Sequence, residues 1–167
     1  MSETARIPLT KGYEAIIDAS DLELVSQYKW HAVVSKKTGD VYAVTTSVGQ
    51  RGSKRIKMHR LLLGMPRQHV DHHNGDTLDN RRENLRTATV SQNQMNRRPN
   101  RRSASGFKGV SLHKRSGRWQ AEIQKDGKKM FLGSFGTPEL AALAYDSAAR
   151  ELFGEFARPN FPPSIAT

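Results

Sequence analysis

The sequence predicts an α+β protein built from small modules: an N-terminal β-rich region over residues 1–66, a short polar module over 67–97, a basic linker over 98–104, and over 105–163 a three-stranded antiparallel sheet packed on one helix. Three observations carry this. The 167 residues are 36% hydrophobic and 26% charged, too little apolar material for one large core but enough for compact units joined by polar segments. Short β-prone runs punctuated by Gly-containing turns fill both ends of the chain. A stretch of Pro, Asn, Arg and Ser at 99–105, almost without apolar residues, separates those ends.

The elements follow in order. Runs at 13–17, 30–34, 41–48 and 55–58, broken by Gly39-Asp40 and by glycines between 49 and 52, predict a small antiparallel sheet. Residues 18–28, with Leu22, Leu24 and Val25 apolar, predict a short helix capped by Ser20 or Asp21. Residues 59–63 predict a second short helix, stopped at Gly64 and Pro66. Segment 67–96 is rich in Asp, His and Asn, poor material for a core and good material for a site. Its end, Thr89-Val90-Ser91-Gln92, fits a capping box that starts a helix and sets Asn93 in the first turns.

Beyond the linker, runs at 108–113, 119–125 and 128–135 are separated by Ser116-Gly117 and by Asp126-Gly127, the latter a favoured two-residue hairpin turn. Phe107, Val110, Ala121, Ile123, Leu132 and Phe135 are the expected core of this sheet. Residues 138–153 predict a helix with Thr137 as cap, Pro138 at its first position and Gly154 as stop. Its apolar stripe reads as Leu140, Leu143, Ala144, Ala148 and Leu152.

Composition narrows the function. Lys and Arg number 27 against 16 Asp and Glu, a formal charge of +11, so nucleic acid is the natural partner through counterion release. Eight basic residues and no acidic one lie between Arg97 and Arg118, a directed patch. The absence of cysteine excludes disulfides, a thiolate nucleophile and Cys-based zinc sites. The start of the chain has no basic-then-apolar leader pattern and no run reaches membrane-spanning length, so a cytoplasmic protein with no membrane partner is expected.

Cutting a phosphodiester needs a base to make the nucleophile, a hard cation to take up charge, and a frame for both. Asp71 is a natural oxygen ligand for Mg²⁺ or Mn²⁺, an Asn carbonyl can supply a second, and His72 takes a proton near neutral pH. Val70-Asp71-His72, Asn74-Gly75-Asp76, Asp79-Asn80-Arg81, Asn84-Leu85-Arg86, Thr89 and Asn93 together resemble the HNH (ββα-metal) homing endonucleases of phages and mobile introns. The intervals, eleven residues from His72 to Asn84 and eight from Asn84 to Asn93, suit a hairpin followed by a helix. The resemblance implies His72 as general base, Asp71 and Asn93 as holders of one divalent metal, and Asn84 as a brace of the loop. His73 departs from the pattern, where related sequences more often carry an aliphatic residue. His59 and His69 read as structural or phosphate-facing, Asp76 and Asp79 as loop formers, and Arg60 as a phosphate contact.

Residues 105–161, through Gly106-Phe107-Lys108-Gly109-Val110, Trp119-Gln120-Ala121-Glu122-Ile123, Phe131-Leu132-Gly133-Ser134-Phe135 and Ala141-Ala142-Leu143-Ala144-Tyr145-Asp146, resemble the plant ethylene-response-factor (apetala-two) DNA-binding domain. In that family the sheet enters the major groove, which admits such a ribbon. The resemblance assigns Lys108, Ser111, His113, Arg115, Arg118, Lys128 and Lys129 to DNA, with Trp119 serving either DNA or packing. The plant pattern has Arg where this chain has Lys108 and Ser111, so the plant recognition sequence does not transfer. Arg97, Arg98, Arg101 and Arg102 read as a tether along phosphates. The expectation is a metal-dependent endonuclease acting on double-stranded DNA, as monomer or homodimer and with no small-molecule substrate. The alternative is a non-cleaving DNA-binding regulator that keeps the nuclease scaffold.

Overall fold

A computed structural model describes residues 3–36, 38–49, 52–97, 99 and 103–161. The architecture is α+β, and the chain divides into two compact units, Met1–Thr89 and Val90–Thr167.

In the first unit, β1 (Thr4–Pro8) and β2 (Glu14–Asp18) form a hairpin, followed by the helix α1 (Leu22–Ser26). Strands β3 (His31–Val34), β4 (Val41–Gly49) and β5 (Gly52–Lys57) make a second antiparallel sheet in the order β3-β4-β5. The helix α2 (Met58–Leu62) follows directly, and β6 (His69–His72) then pairs with β7 (Leu85–Ala88). One core joins these pieces: Ile7, Ile17, Val25, Trp30, Ala32, Ala43, Met58, Leu62 and Leu85 are all buried in it. The indole N–H of Trp30 is satisfied there by the Val25 carbonyl at 2.8 Å, so the ring can be buried without stranding a donor.

Two differences from the sequence expectation stand out. The N-terminal β material is two separate sheets, with β1 drawn from a stretch that carries no local strand signal beyond Ile7. Asp21 precedes α1 but makes no capping bond with its side chain. Its carboxylate instead takes the Arg82 guanidinium, with contacts of 2.6–3.2 Å, because a charged partner 61 residues away stabilises it more than a neutral backbone donor would.

In the second unit, α3 (Val90–Met95) precedes a sheet of β8 (Val110–His113), β9 (Arg118–Lys125) and β10 (Lys128–Phe135) in the order β10-β9-β8, with α4 (Pro138–Phe153) packed on it. Asp126 and Gly127 both have positive φ, 49° and 80°, as the tight turn between β9 and β10 requires. Thr137 accepts from the Leu140 amide at the start of α4. Val110, Ala121 and Ile123 are buried, and Phe107, Leu132 and Phe135 pack against them.

The buried stripe of α4 differs from the expected one. Ala141, Ala142, Tyr145, Ala149 and Phe153 face the sheet, whereas Leu140 and Leu143 are about half exposed. Alanines let the helix approach Ala121 and Val110 closely, and the space a leucine would fill is not there. Tyr145 needs a matching gap: Gly109, at φ +75°, leaves room where a Cβ would lie 2.0 Å from the Tyr145 ring. Asp146, wholly buried, anchors the end of the unit by accepting from the Asn160 amide N–H at 2.7 Å, the Asn160 side chain at 3.0 Å and the Phe161 amide at 2.9 Å.

Candidate functional site

The β6–β7 hairpin carries the first site. Its register sets Asp71 opposite Arg86 and His72 opposite Leu85. Directly opposed residues share a face and neighbours along a strand alternate. His72 therefore looks inward with Leu85, and Asp71 looks to the other side with Arg86.

The 73–84 connection is a polar lattice built by its own side chains. Asn84 Oδ1 accepts from the Asn74 amide at 2.9 Å, and Asn84 Nδ2 donates to the Asp79 carbonyl at 2.7 Å, so this buried amide ties both ends of the loop together. Asp79 accepts from Asn74 Nδ2 and from both arms of the Arg81 fork, and these donors hold its carboxyl below the ordinary range. Asp76 Oδ1 accepts from the Leu78 amide. The loop is strapped to the first hairpin through Asn80 N–H to the Ile16 carbonyl, Ile16 N–H to the Leu78 carbonyl, and the Arg82 amide to Asp18.

His72 sits at the centre of this frame, 5% exposed. Its Nε2 lies 3.4 Å from Asn80 Oδ1. Asn80 is itself buried, and its Nδ2 donates to the Leu78 carbonyl at 3.0 Å. With the amide nitrogen engaged there, the oxygen faces the ring, so His72 Nε2 carries the hydrogen and the lone pair of the neutral imidazole sits on Nδ1. The His59 ring meets His72 edge to face, with centroids 4.9 Å apart and planes at 88°. Burial lowers the His72 pKa against the opposing pull of the Asn80 hydrogen bond and of Asp71, Asp76 and Asp79. His59 is pushed down to about 2, first by burial and then by the repulsion it would meet, once charged, from a protonated His72 and from Lys57 and Arg60. Both rings are neutral at pH 7.

Asp71 is buried, and its Oδ2 accepts from Arg86 Nε at 3.0 Å and from the Arg86 terminal nitrogen at 2.9 Å. Among the described residues no cluster of three or more His, Cys, Asp or Glu side chains is placed to hold a metal ion. A lone carboxylate still suits Mg²⁺, which keeps several waters and takes one or two carboxylates together with substrate phosphate oxygens. Asn93, half-buried on α3, belongs to the second unit.

The residues expected at DNA are distributed unevenly. The Arg60 guanidinium donates to the Pro66 and Gln68 carbonyls, closing the turn after α2. Lys108 is half-buried; its ammonium donates to the Met95 carbonyl and lies 5.9 Å from the Tyr145 ring centroid, and burial first, then Arg158, brings its pKa down to about 8. Trp119 packs against the sheet–helix core. Ser111, His113, Arg115, Arg118, Lys128 and Lys129 are exposed, as is Arg97. Arg118 reaches across to the Ser134 carbonyl at 2.8 Å, and Lys129 lies 3.9 Å from Glu122. Arg98, Arg101 and Arg102 lie outside the described residues.

Cross-strand register gives the open face of the second sheet, away from α4. Ser111, Gln120 and Ser134 align across it, as do Glu122 and Phe131. Phe131 is 61% exposed there. Sequence reading missed it, although period-two alternation from the core residues of β10 would have flagged an aromatic on the solvent side. It also passed over Asn80 as a contact of His72, for which no local signal exists.

A ββ hairpin with a buried neutral His beside a carboxylate, followed by a helix and then by a three-stranded sheet on one helix, defines a two-part protein with a candidate hydrolytic centre and a sheet whose open face carries exposed basic side chains. Residues 63–95 match the HNH endonuclease family and residues 105–155 match the AP2 domain. The chain is 34% identical over 152 residues to a protein of Acanthamoeba polyphaga mimivirus described as an uncharacterized HNH endonuclease, covering 90% of this chain and 76% of that one. It belongs to the HNH endonuclease family. Its C-terminal part is 44% identical over 63 residues to an ethylene-responsive transcription factor of Arabidopsis thaliana, and 48% identical over 62 residues to an AP2-like ethylene-responsive transcription factor of the same plant. These matches cover 36% of this chain in each case, and 34% and 11% of the plant proteins. No helix among the described residues is long and apolar enough to cross a membrane.

Proposed function

We propose that this protein is a metal-dependent endonuclease of the homing type, which hydrolyses phosphodiester bonds in double-stranded DNA in the cytoplasm of a bacterial or phage-infected cell. The second unit selects where it acts. The observation that carries the reading is His72: buried, neutral, with its tautomer set by Asn80 and its ring held by His59, on the strand that also bears Asp71.

His72 Nδ1 takes a proton from water, the water oxygen attacks phosphorus, and the bond to the 3′ oxygen breaks. That oxygen is protonated in turn, leaving 5′-phosphate and 3′-hydroxyl ends. Mg²⁺ or Mn²⁺ held by Asp71 would supply positive charge to the phosphate and the leaving oxygen. Asn84 keeps the loop in register, and Arg86 orients Asp71. On the second unit, Arg118, Lys129 and Phe131 present charge and an aromatic surface from the open sheet face; Ser111 and His113 share that face, and Arg115 projects from its turn.

A specific observation favours the rival reading, a DNA-binding regulator on a nuclease scaffold: the Arg86 guanidinium already supplies a positive charge to Asp71. The two are separated by incubating the purified chain with phage or bacterial DNA in Mg²⁺, in Mn²⁺ and in EDTA. Cleavage with either metal, abolished by EDTA and by His72→Ala while binding persists, supports the nuclease. Binding without cleavage in either metal, or cutting by His72→Ala at the parental rate, overturns it.

A further inference from the structure

The first unit carries a basic strand that neither the nuclease centre nor the second sheet accounts for. β5 contains Lys54, Arg55 and Lys57, all exposed, and it is one of the two edge strands of its sheet. None of the three forms an ion pair with a carboxylate among the described residues. Three cations within four positions repel one another, and edge strands often carry such charges simply to prevent strand pairing. Here, however, the charges are aimed.

Register sets Arg55 opposite Thr46, Lys57 opposite Val44, and Lys54 opposite Ser47. Alternation along β4 therefore puts Tyr42, Arg55 and Lys57 on one face and Lys54 on the other. Lys57 Nζ lies 4.3 Å from the Tyr42 ring centroid. The Tyr42 ring meets His59 at 5.8 Å, and His59 meets His72 at 4.9 Å. Side chains thus run in sequence from Lys57 through Tyr42 and His59 to the candidate base, and Arg55 is the next residue along the same face. Lys57 also precedes α2 directly, so its backbone is fixed two residues from His59. Burial first and then the nearby Arg60 charge make Lys57 easier to deprotonate than an ordinary lysine; the Arg60 part is a like-charge repulsion that an incoming anion relieves.

We infer that the Arg55–Lys57 face of β5 binds the sugar-phosphate backbone of the same DNA duplex whose phosphodiester enters the His72 centre. The occupant is double-stranded DNA because the face offers exposed cations spaced along one strand, which suit the regularly repeated phosphates of a duplex backbone. This rests on the nuclease reading for what happens at His72, but not for the binding itself. Its role is to hold the strand beside the cutter, without sequence information, while the second unit sets the address.

The test uses the full chain in EDTA, with a fluorescein-labelled 30-bp duplex of arbitrary sequence and anisotropy titrations across a NaCl series. Each phosphate contact contributes about 0.9 to the slope of log K against log salt. Arg55→Gln/Lys57→Gln should lower the slope by nearly two and weaken binding at least tenfold at low salt, whereas Lys54→Gln, on the opposite face, should change the slope by much less. The single variant Arg55→Gln, at a side chain without an intramolecular partner among those described, guards against misfolding and should lower the slope by nearly one. An unchanged slope in the double variant, or an equal drop with Lys54→Gln, overturns the inference, the second outcome meaning that only net charge matters. The nuclease reading fails separately: a chain that never cuts yet shows the slope change loses that reading and keeps this surface.

Discussion

Acidification should weaken the first unit through His59, and the size of the effect follows from its burial. In the unfolded chain His59 titrates near 6.5, whereas in the folded unit it resists protonation down to about 2. Between those values the unfolded state binds one more proton, so stability is full above pH 6.5 and declines as pH falls, by about 1.4 kcal/mol per pH unit. From pH 6.5 to 5 that amounts to about 2 kcal/mol, a large part of the 5–15 kcal/mol typical of a domain. His72, lowered for the same reason, adds loss of the same sign. Carboxylates titrate mostly below this window, which isolates the histidines. Urea denaturation at pH 7.0, 6.0 and 5.0, followed by the fluorescence of Trp30 in the core of that unit, measures it. His59→Phe, which keeps a ring against His72 and cannot ionise, should flatten most of the slope. A stability that is level or rising from pH 7 to 5 in the parent would falsify the assignment of His59 as a buried neutral ring.

Three further outcomes are expected. Gly109→Ala places a methyl 2.0 Å from the Tyr145 ring and 2.7 Å from the Glu122 carbonyl at a positive φ. Backbone strain of about 1–2 kcal/mol and overpacking of about 1–3 kcal/mol should lower the midpoint of the Trp119 transition and leave that of Trp30 in place. Asp146→Ala strands three N–H donors of the C-terminal segment, at about 1–3 kcal/mol for each one left buried; calorimetry of the full chain should show the second unit melting well below the parent. Asn80→Leu removes the acceptor that fixes the His72 tautomer. Imidazole ¹⁵N shifts should then report a mixture of tautomers in place of the Nε2–H form, with kcat reduced by up to about 10²-fold, within the range a general base contributes, and DNA affinity unchanged. A single Nε2–H tautomer in that variant refutes the role of Asn80.

The sequence by itself determined what local signals can encode. The Asp126-Gly127 turn, the Thr137 cap and the Gly154 stop set the edges of β9, β10 and α4, because each works through the φ preferences or side-chain bonds of residues adjacent in the chain. The Asp71, His72 and Asn84 register was legible as a motif for the same reason: one hairpin and its connecting loop hold all three. Tertiary structure alone decided the rest. Periodicity misplaced the buried face of α4, since the choice between leucines and alanines depends on how closely the helix approaches the sheet. Asp21 found Arg82 in place of its expected cap, Arg60 closed a turn, Lys108 folded back on Tyr145, and Asn80 and His59 converged on His72. Each of these is a long-range contact whose partner is chosen by packing, where desolvation makes a distant charge or ring worth more than the nearest backbone group.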